Sequence, residues 1–117
     1  MGMAFPKTDE RSRVFFESLV PNDPRVRSRP MFGNRAAFVN GNMFLALFGS
    51  QVAVRLSEED RPELLRQKGA SAFEPIPGRP MKEYVVLPEA WRRSPEKAKD
   101  WVDRSLAWAG KLPPKKK

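Results

Sequence analysis

Residues 31–56, MFGNRAAFVNGNMFLALFGSQVAVRL, constrain this chain more than any other stretch. Two turn signals, Asn40-Gly41 and Gly49-Ser50, interrupt runs of apolar residues there. Asn and Gly accept the positive φ angles of two-residue hairpin loops, so each site reads as a chain reversal. Three antiparallel strands follow, near 35–39, 43–48 and 51–56, joined as a meander. In the last of them Val52, Val54 and Leu56 alternate with Gln51, Ala53 and Arg55, giving one dry face and one wet face. The middle strand, Met43 to Phe48, is apolar on both faces. Its second face is expected to meet a helix, another chain or a ligand.

The helices are marked by their ends. Thr8 or Asp9 can cap a helix running to about Leu19, with Asp9 and Glu10 at its positive end. Phe15 with Leu19, and Phe16 with Val20, stand four apart and give a broad apolar surface suited to lying on a sheet. Pro21 and Pro24 stop it. Arg25, Arg27 and Arg29 then alternate with Val26, Ser28 and Pro30. In an extended segment the three guanidinium groups share one side, and Pro30 makes the segment an edge strand or the approach to one. Gly33-Asn34 marks a turn or a bulge.

Beyond the meander, Asp60 with Glu63 resembles a capping box, with Pro62 in the first turn of a short helix and Gly69 as its stop. Residues 72–81 hold three prolines and a glycine, so they are extended or looped. Residues 83–87 read as a strand, and residues 89–91 as one turn of helix at most. Ser94-Pro95 opens the last helix, a hydroxyl cap followed by proline at the first position. Its apolar face is Ala98, Trp101, Val102, Ser105, Leu106, Trp108 and Ala109, and Gly110 ends it. The expectation is a single domain over residues 1–117, ordered from about 8 to 110, with Leu112 to Pro114 and the lysines disordered. Its class is a two-layer α+β fold: an antiparallel sheet, a three-stranded meander plus two further strands, packed with helices in the order α-β-β-β-α-β-β-α.

The chain has no cysteine and no histidine. Disulfides and thiolate ligands are excluded, as are the commonest general base and the commonest metal ligand, which leaves only oxygen-ligand metals. The N-terminus lacks the apolar core of a secretory signal, and no run nears the roughly 18 apolar residues of a membrane span. A cytoplasmic protein without membrane partners is expected. The formal net charge is +8, and no acidic residue occurs between Asp23 and Glu58, where Arg25, Arg27, Arg29, Arg35 and Arg55 fall. Lys111 and Lys115 to Lys117 form a second basic cluster. Such asymmetry is the footprint of a polyanion-binding surface; the plainer reading is that arginines keep a small domain in solution.

None of the eight serines stands in a nucleophile elbow. Glu58, Glu59, Asp60 and Glu63 read as a solvated helix start rather than a magnesium site. Tyr84 reads as an amphipathic core residue. No catalytic residue, metal ligand or cofactor site is assigned. The loop Pro77-Gly78-Arg79-Pro80-Met81-Lys82 sets two cations beside a glycine and could cradle a phosphate, but it lacks Walker or dinucleotide spacing. Its alternative role is a surface connection whose prolines fix the following strand. Trp101 and Trp108 repeat at helical spacing and read as core, whereas Trp91, beside Arg92 and Arg93, stays open between core and stacking platform. There is no recognition helix, so nucleic-acid binding would be backbone-directed and salt-sensitive.

Met31-Phe32-Gly33-x-Arg35, Asn40-Gly41-Asn42-Met43-Phe44 and Pro77-Gly78-Arg79-Pro80-Met81-Lys82-Glu83-Tyr84 together resemble the N-terminal domain of the TfoX/Sxy family of bacterial competence regulators. Trp101 and Ser105-Leu106 are similar too, and the resemblance spans residues 10–112. It implies the same element order, no catalytic residues, and a part in transcriptional control of DNA uptake alongside a cyclic-AMP receptor protein. Two-domain competence regulators carry a further helical domain, so a stand-alone N-terminal domain is expected here. The functional expectation is a non-enzymatic regulatory or interaction module whose partner is a protein or nucleic acid. Its contact surface is Arg25, Arg27, Arg29, Arg35, Arg79 and Lys82. The alternative is a small-ligand or phosphate-binding domain, or a rudimentary enzyme, using the Gly78–Lys82 loop. A homodimer through the middle strand's second face or an exposed edge is a third expectation.

Overall fold

Asn40 and Gly41 both hold positive φ, 53° and 79°, and Gly49 holds 64°, so the chain reverses where these residues stand. The computed structural model describes residues 8–31 and 34–114. Strands β1 (Val26–Met31), β2 (Asn34–Val39), β3 (Asn42–Phe48) and β4 (Gln51–Arg55) form an antiparallel meander. With β5 (Ser71–Ala72) and β6 (Tyr84–Val86) they complete a six-stranded antiparallel sheet in the order β1-β2-β3-β4-β6-β5. The arginine segment is thus a full edge strand, and the meander has four strands where three were expected. Met31 pairs with Asn34; the turn expected at Gly33 lies outside the described residues.

Alternation sorts the side chains. Leu45 and Leu47 stand opposite Val54 and Val52 and bury toward the helices, while Ala46 stands opposite Ala53 on the other face. The register with β2 runs from Ala37↔Leu45 to Phe38↔Met43 and skips Phe44. This is a β-bulge, which lets two consecutive residues take the same side. Phe44 and Leu45 therefore both enter the helix-side core, each 0 % exposed, and Met43 is returned to the opposite face. Each such fully buried side chain contributes about 1.5–3 kcal/mol on leaving water.

Helix α1 (Glu10–Leu19) is capped by Asp9, whose carboxylate accepts the Ser12 N–H at 2.7 Å. It buries Phe15, Phe16 and Leu19, and Thr8 ties its entry to the β3–β4 turn by donating to the Gly49 carbonyl at 2.7 Å. Helix α2 (Asp60–Leu65) starts without the expected capping box. Ser57 Oγ instead accepts the Asp60 N–H at 3.2 Å, and the helix ends before Gly69, which holds a φ of +92° in the turn beyond. Leu64 is its core anchor.

A 3-10 turn (Glu89–Arg93) leads to α3 (Pro95–Gly110), which begins with Pro95 after Ser94 as expected, although the Ser94 hydroxyl makes no capping bond. Ala98, Trp101, Val102, Ser105 and Ala109 are its buried face; Leu106 is half-buried and packs against the same core, and Trp108 is half-buried. Trp91 packs against the same core. Leu112, expected to be loose, also packs there, and the Pro113 carbonyl accepts from Asn42 Nδ2 at 3.1 Å. All three helices contribute to a core on one face of the sheet. The other face is left for something else.

Candidate functional site

Among the described residues a loop, not a helix, covers the second face of β3. After Ala72 the backbone passes onto that face as a loop running from Phe73 to Met81, closed by the Met81 N–H donating to the Phe73 carbonyl at 2.9 Å. Phe73 meets Phe48 edge-on, with centroids 5.9 Å apart at 81°, and lies 6.2 Å from Tyr84. The Tyr84 hydroxyl donates to the Met43 carbonyl at 2.8 Å, and burial pushes the phenol up to about 12. Tyr84 is the core residue its sequence context suggested. Between this loop and strands β2 and β3 lies a cavity of about 310 Å³. Ala36, Met43, Ala46, Phe73, Ile76 and Met81 line it; Arg35 borders it too, but stands opposite Leu47 with its side chain on the helix-side face.

The expected cationic residues divide into those the fold places on one face of the sheet and two, Arg25 and Arg35, that it does not. Arg27 and Arg29 stand opposite Phe38 and Ala36 on the loop-covered face of the sheet, exposed on edge strand β1. The Arg29 guanidinium lies 5.0 Å from the centre of the Phe38 ring, a cation–π contact. Arg35 is on the helix-side face opposite Leu47, half-buried, and donates from Nη2 to Ser28 Oγ at 3.2 Å. Arg79 and Lys82 are exposed on and just beyond the loop crossing the face that Arg27 and Arg29 share. Arg25 is separate: it precedes β1 and binds Asp23 through Nε at 3.1 Å and Nη2 at 2.9 Å. These bonds hold the Asp23 carboxyl below its ordinary range. A Cβ added at Gly110 would lie 3.5 Å from Arg25 Nη1, so this arginine reaches toward the end of α3.

Among the described residues Arg27, Arg29, Arg35, Arg79 and Lys82 have no carboxylate partner, whereas Arg13, Arg25, Arg55, Arg92 and Arg104 do. The loop's fitness as a phosphate cradle is reduced by its own chain. Gly78 holds a φ of +81°, and its N–H donates to Glu74 Oε2 at 2.6 Å. A carboxylate thus occupies the amide that a phosphate would need. The neighbouring Glu83 is bound to Arg55 at 2.7 Å.

Two features escaped the sequence reading. Arg92 donates to Ser12 Oγ at 2.8 Å and to the Ser50 carbonyl at 2.6 Å, linking the 3-10 turn to α1 and to the β3–β4 turn. It also borders a groove with Arg11, Val14 and Arg93, where Val14 is 53 % exposed. The other is the cavity, whose floor and roof lie far apart in the chain. The apolar second face of β3 was the one signal for it.

Among the described residues no group of three or more carboxylates could hold a metal ion, and no helix is long and apolar enough to cross a membrane. The model of one protein family, described as the TfoX N-terminal domain, matches residues 17–109. None of the curated proteins matches the chain.

Proposed function

Because the chain belongs to the TfoX N-terminal domain family, a non-catalytic domain family, we propose that it is a regulatory interaction module, transcription-associated and cytoplasmic, that receives an anionic partner on its arginine-bearing sheet face. The observation that carries this reading is the pairing pattern. Arg27 and Arg29 stand two apart on an exposed edge strand with no carboxylate partner among the described residues; Arg25, Arg55 and Arg104 are ion-paired, while Arg11, Arg61, Arg66 and Arg93 are unpaired elsewhere on the fold. Unpaired guanidinium groups in fixed positions are what an anionic surface requires. Arg79 and Lys82, on and just beyond the loop crossing that face, extend the same positive field.

The edge favours recognition by side chains over addition of a strand. Pro30 removes a backbone donor from β1, and a second copy paired there antiparallel would oppose arginine to arginine. A homodimer through this edge is thereby disfavoured, and a partner supplying phosphates or carboxylates is favoured.

The test is duplex-DNA binding by fluorescence anisotropy across a salt series, for the wild type, the Arg27→Ala/Arg29→Ala variant and a variant lacking residues 115–117, which keeps the packed Leu112 and Pro113. The expected result is salt-sensitive binding that survives tail removal and whose log–log salt slope falls by about 2 in the double variant, close to one unit for each phosphate no longer neutralised. Binding that disappears with the tail assigns it to the lysines. Absence of binding at low salt moves the partner to an acidic protein. If the double variant then captures that protein as well as the wild type does, the arginine face is not the contact surface.

A further inference from the structure

We propose that the groove between α1 and the 3-10 turn docks an acidic segment of another protein, one that carries apolar side chains between its carboxylates. This goes beyond the contact on the arginine-bearing sheet face and uses none of its residues. Arg11, Val14, Phe15 and Ser18 line the groove from α1, and their spacing of three and four residues is that of one helical face. Ala90 and Pro95 line it from the other side. Val14 is 53 % exposed there, although Phe15 beside it is buried in the core. A lone exposed valine is ordinary, but this one lies in a depression with other apolar side chains rather than on a convex surface. At about 850 Å³ and open to solvent, the groove has room for several partner side chains and does not enclose a small molecule.

The charge on the lining selects the occupant. Three arginines, Arg11, Arg92 and Arg93, line the groove against one carboxylate, Glu89. Glu89 lies 3.8 Å from Arg92, while Arg11 and Arg93 are exposed with no carboxylate partner among the described residues. Arg92 is held by two neutral acceptors, Ser12 Oγ and the Ser50 carbonyl, which fix its position without cancelling its charge. Asp9 is engaged as the cap of α1; its hydrogen bonds from Ser12, and then the Arg92 and Arg11 charges, hold its carboxyl below the ordinary range. A second copy docked symmetrically here would set arginine against arginine. Residues 1–7 and 115–117 contain no acidic residue, so the ends of the chain do not complement the groove either. A nucleic acid would lay its charged backbone over Val14 and Ala90. Carboxylates that flank an apolar side chain match both kinds of lining residue at once.

The experiment is fluorescence anisotropy of a labelled peptide that alternates leucine with pairs of glutamate, at an ionic strength of about 0.15 M. One reference peptide has glutamine in place of glutamate, and the other has serine in place of leucine. The expected result is saturable binding of the first peptide and binding at least about tenfold weaker for both references. Arg11→Glu/Arg93→Glu should weaken the first peptide by at least about tenfold, and so should Val14→Asp. All three side chains are exposed, and should Val14→Asp fail to fold, the double variant carries the test alone. Arg27→Ala/Arg29→Ala should leave binding unchanged, which separates this groove from the sheet-face contact. In methyl NMR spectra Val14 and Ala90 should shift with the peptide while Met43 and Ile76 stay in place. A reference peptide bound as tightly as the first, full binding by the Arg11→Glu/Arg93→Glu variant, or an equal loss in the sheet-face variant would each overturn the proposal. So would duplex DNA that shifts the same two methyl groups, or a dimer of this chain that Val14→Asp dissociates, since either assigns the groove to another occupant.

Discussion

Ser105 is 0 % exposed in the middle of α3, and its Oγ donates to the Phe44 carbonyl at 2.8 Å. Phe44 is the residue that the β2–β3 register skips, so the serine supports the backbone at the bulge. Ser105→Ala removes the donor and leaves a buried carbonyl oxygen with no water to replace it. Leaving a buried acceptor unsatisfied costs about 1–3 kcal/mol, and a mid-range loss of about 2 kcal/mol is expected. For a domain of this length that lowers Tm by roughly 8–12 °C. The assay is urea unfolding followed by tryptophan fluorescence, with an unchanged m value confirming that stability alone has moved. Ser18→Ala is the control. Its hydroxyl donates to the Phe15 carbonyl at 2.6 Å, but Ser18 is exposed and water can replace it, so less than about 0.5 kcal/mol is expected. If Ser105→Ala cost no more than Ser18→Ala, the bulge would not depend on α3 and the reasoning would fail.

Three other outcomes follow from the same structure. Tyr84 is the only tyrosine, so phenolate absorbance reports it alone, and its folded-state midpoint should lie at about 12 rather than 10.0. Because the folded value is the higher one, the associated stability is complete below pH 10.0 and is lost as pH rises toward about 12; a midpoint near 10.0 in the folded protein refutes the burial argument. Arg104 joins Glu63 at 3.0 Å and Asp100 at 3.3 Å while its guanidinium lies 4.3 Å from the Trp101 ring centre. Arg104→Lys should cost about 0.5–1 kcal/mol in urea melts, with the deficit shrinking at high salt; a salt-independent deficit contradicts an ionic origin. Gly69→Ala forces a side chain to a φ of +92° with its Cβ 3.2 Å from Pro88 Cβ, and should lose about 1–2 kcal/mol in thermal unfolding. A neutral result would mean that the turn before β5 relaxes freely.

The meander was legible in the sequence because its information is local. Asn40-Gly41 and Gly49-Ser50 fix the reversals, and the alternation through Val52, Val54 and Leu56 fixes which side of β4 is dry. The bulge was not legible, since Phe44 and Leu45 differ from their neighbours only in what they meet across the sheet. Caps gave a divided result. Asp9 holds its N–H as expected, but Asp60 and Glu63 turn instead toward Arg104 on α3, an ion pairing between distant parts of the chain that no local motif records. The site shows the same division. That Arg27 and Arg29 share a face follows from a two-residue period, whereas Arg25 departs because Asp23, two residues away, captures it outside the strand. The Glu74 carboxylate on the Gly78 N–H, and the cavity roofed by Ile76 and Met81, depend on how a proline-rich loop folds back, which spacing alone does not determine.

Placing every helix on one side of the sheet divides the chain's evolutionary freedom by parity. Along β1 and β2, positions 27, 29, 36 and 38 face away from the helices, while positions 37 and 39 belong to the helix-side core. A library varying positions 27, 29 and 38, with the buried Ala36 kept, can therefore explore new binding surfaces with little interference from selection on packing. Phe44-Leu45 is where the rule changes phase: the bulge commits both residues to the core. Any engineered insertion or deletion in β3 must be judged by which side of that point it falls on.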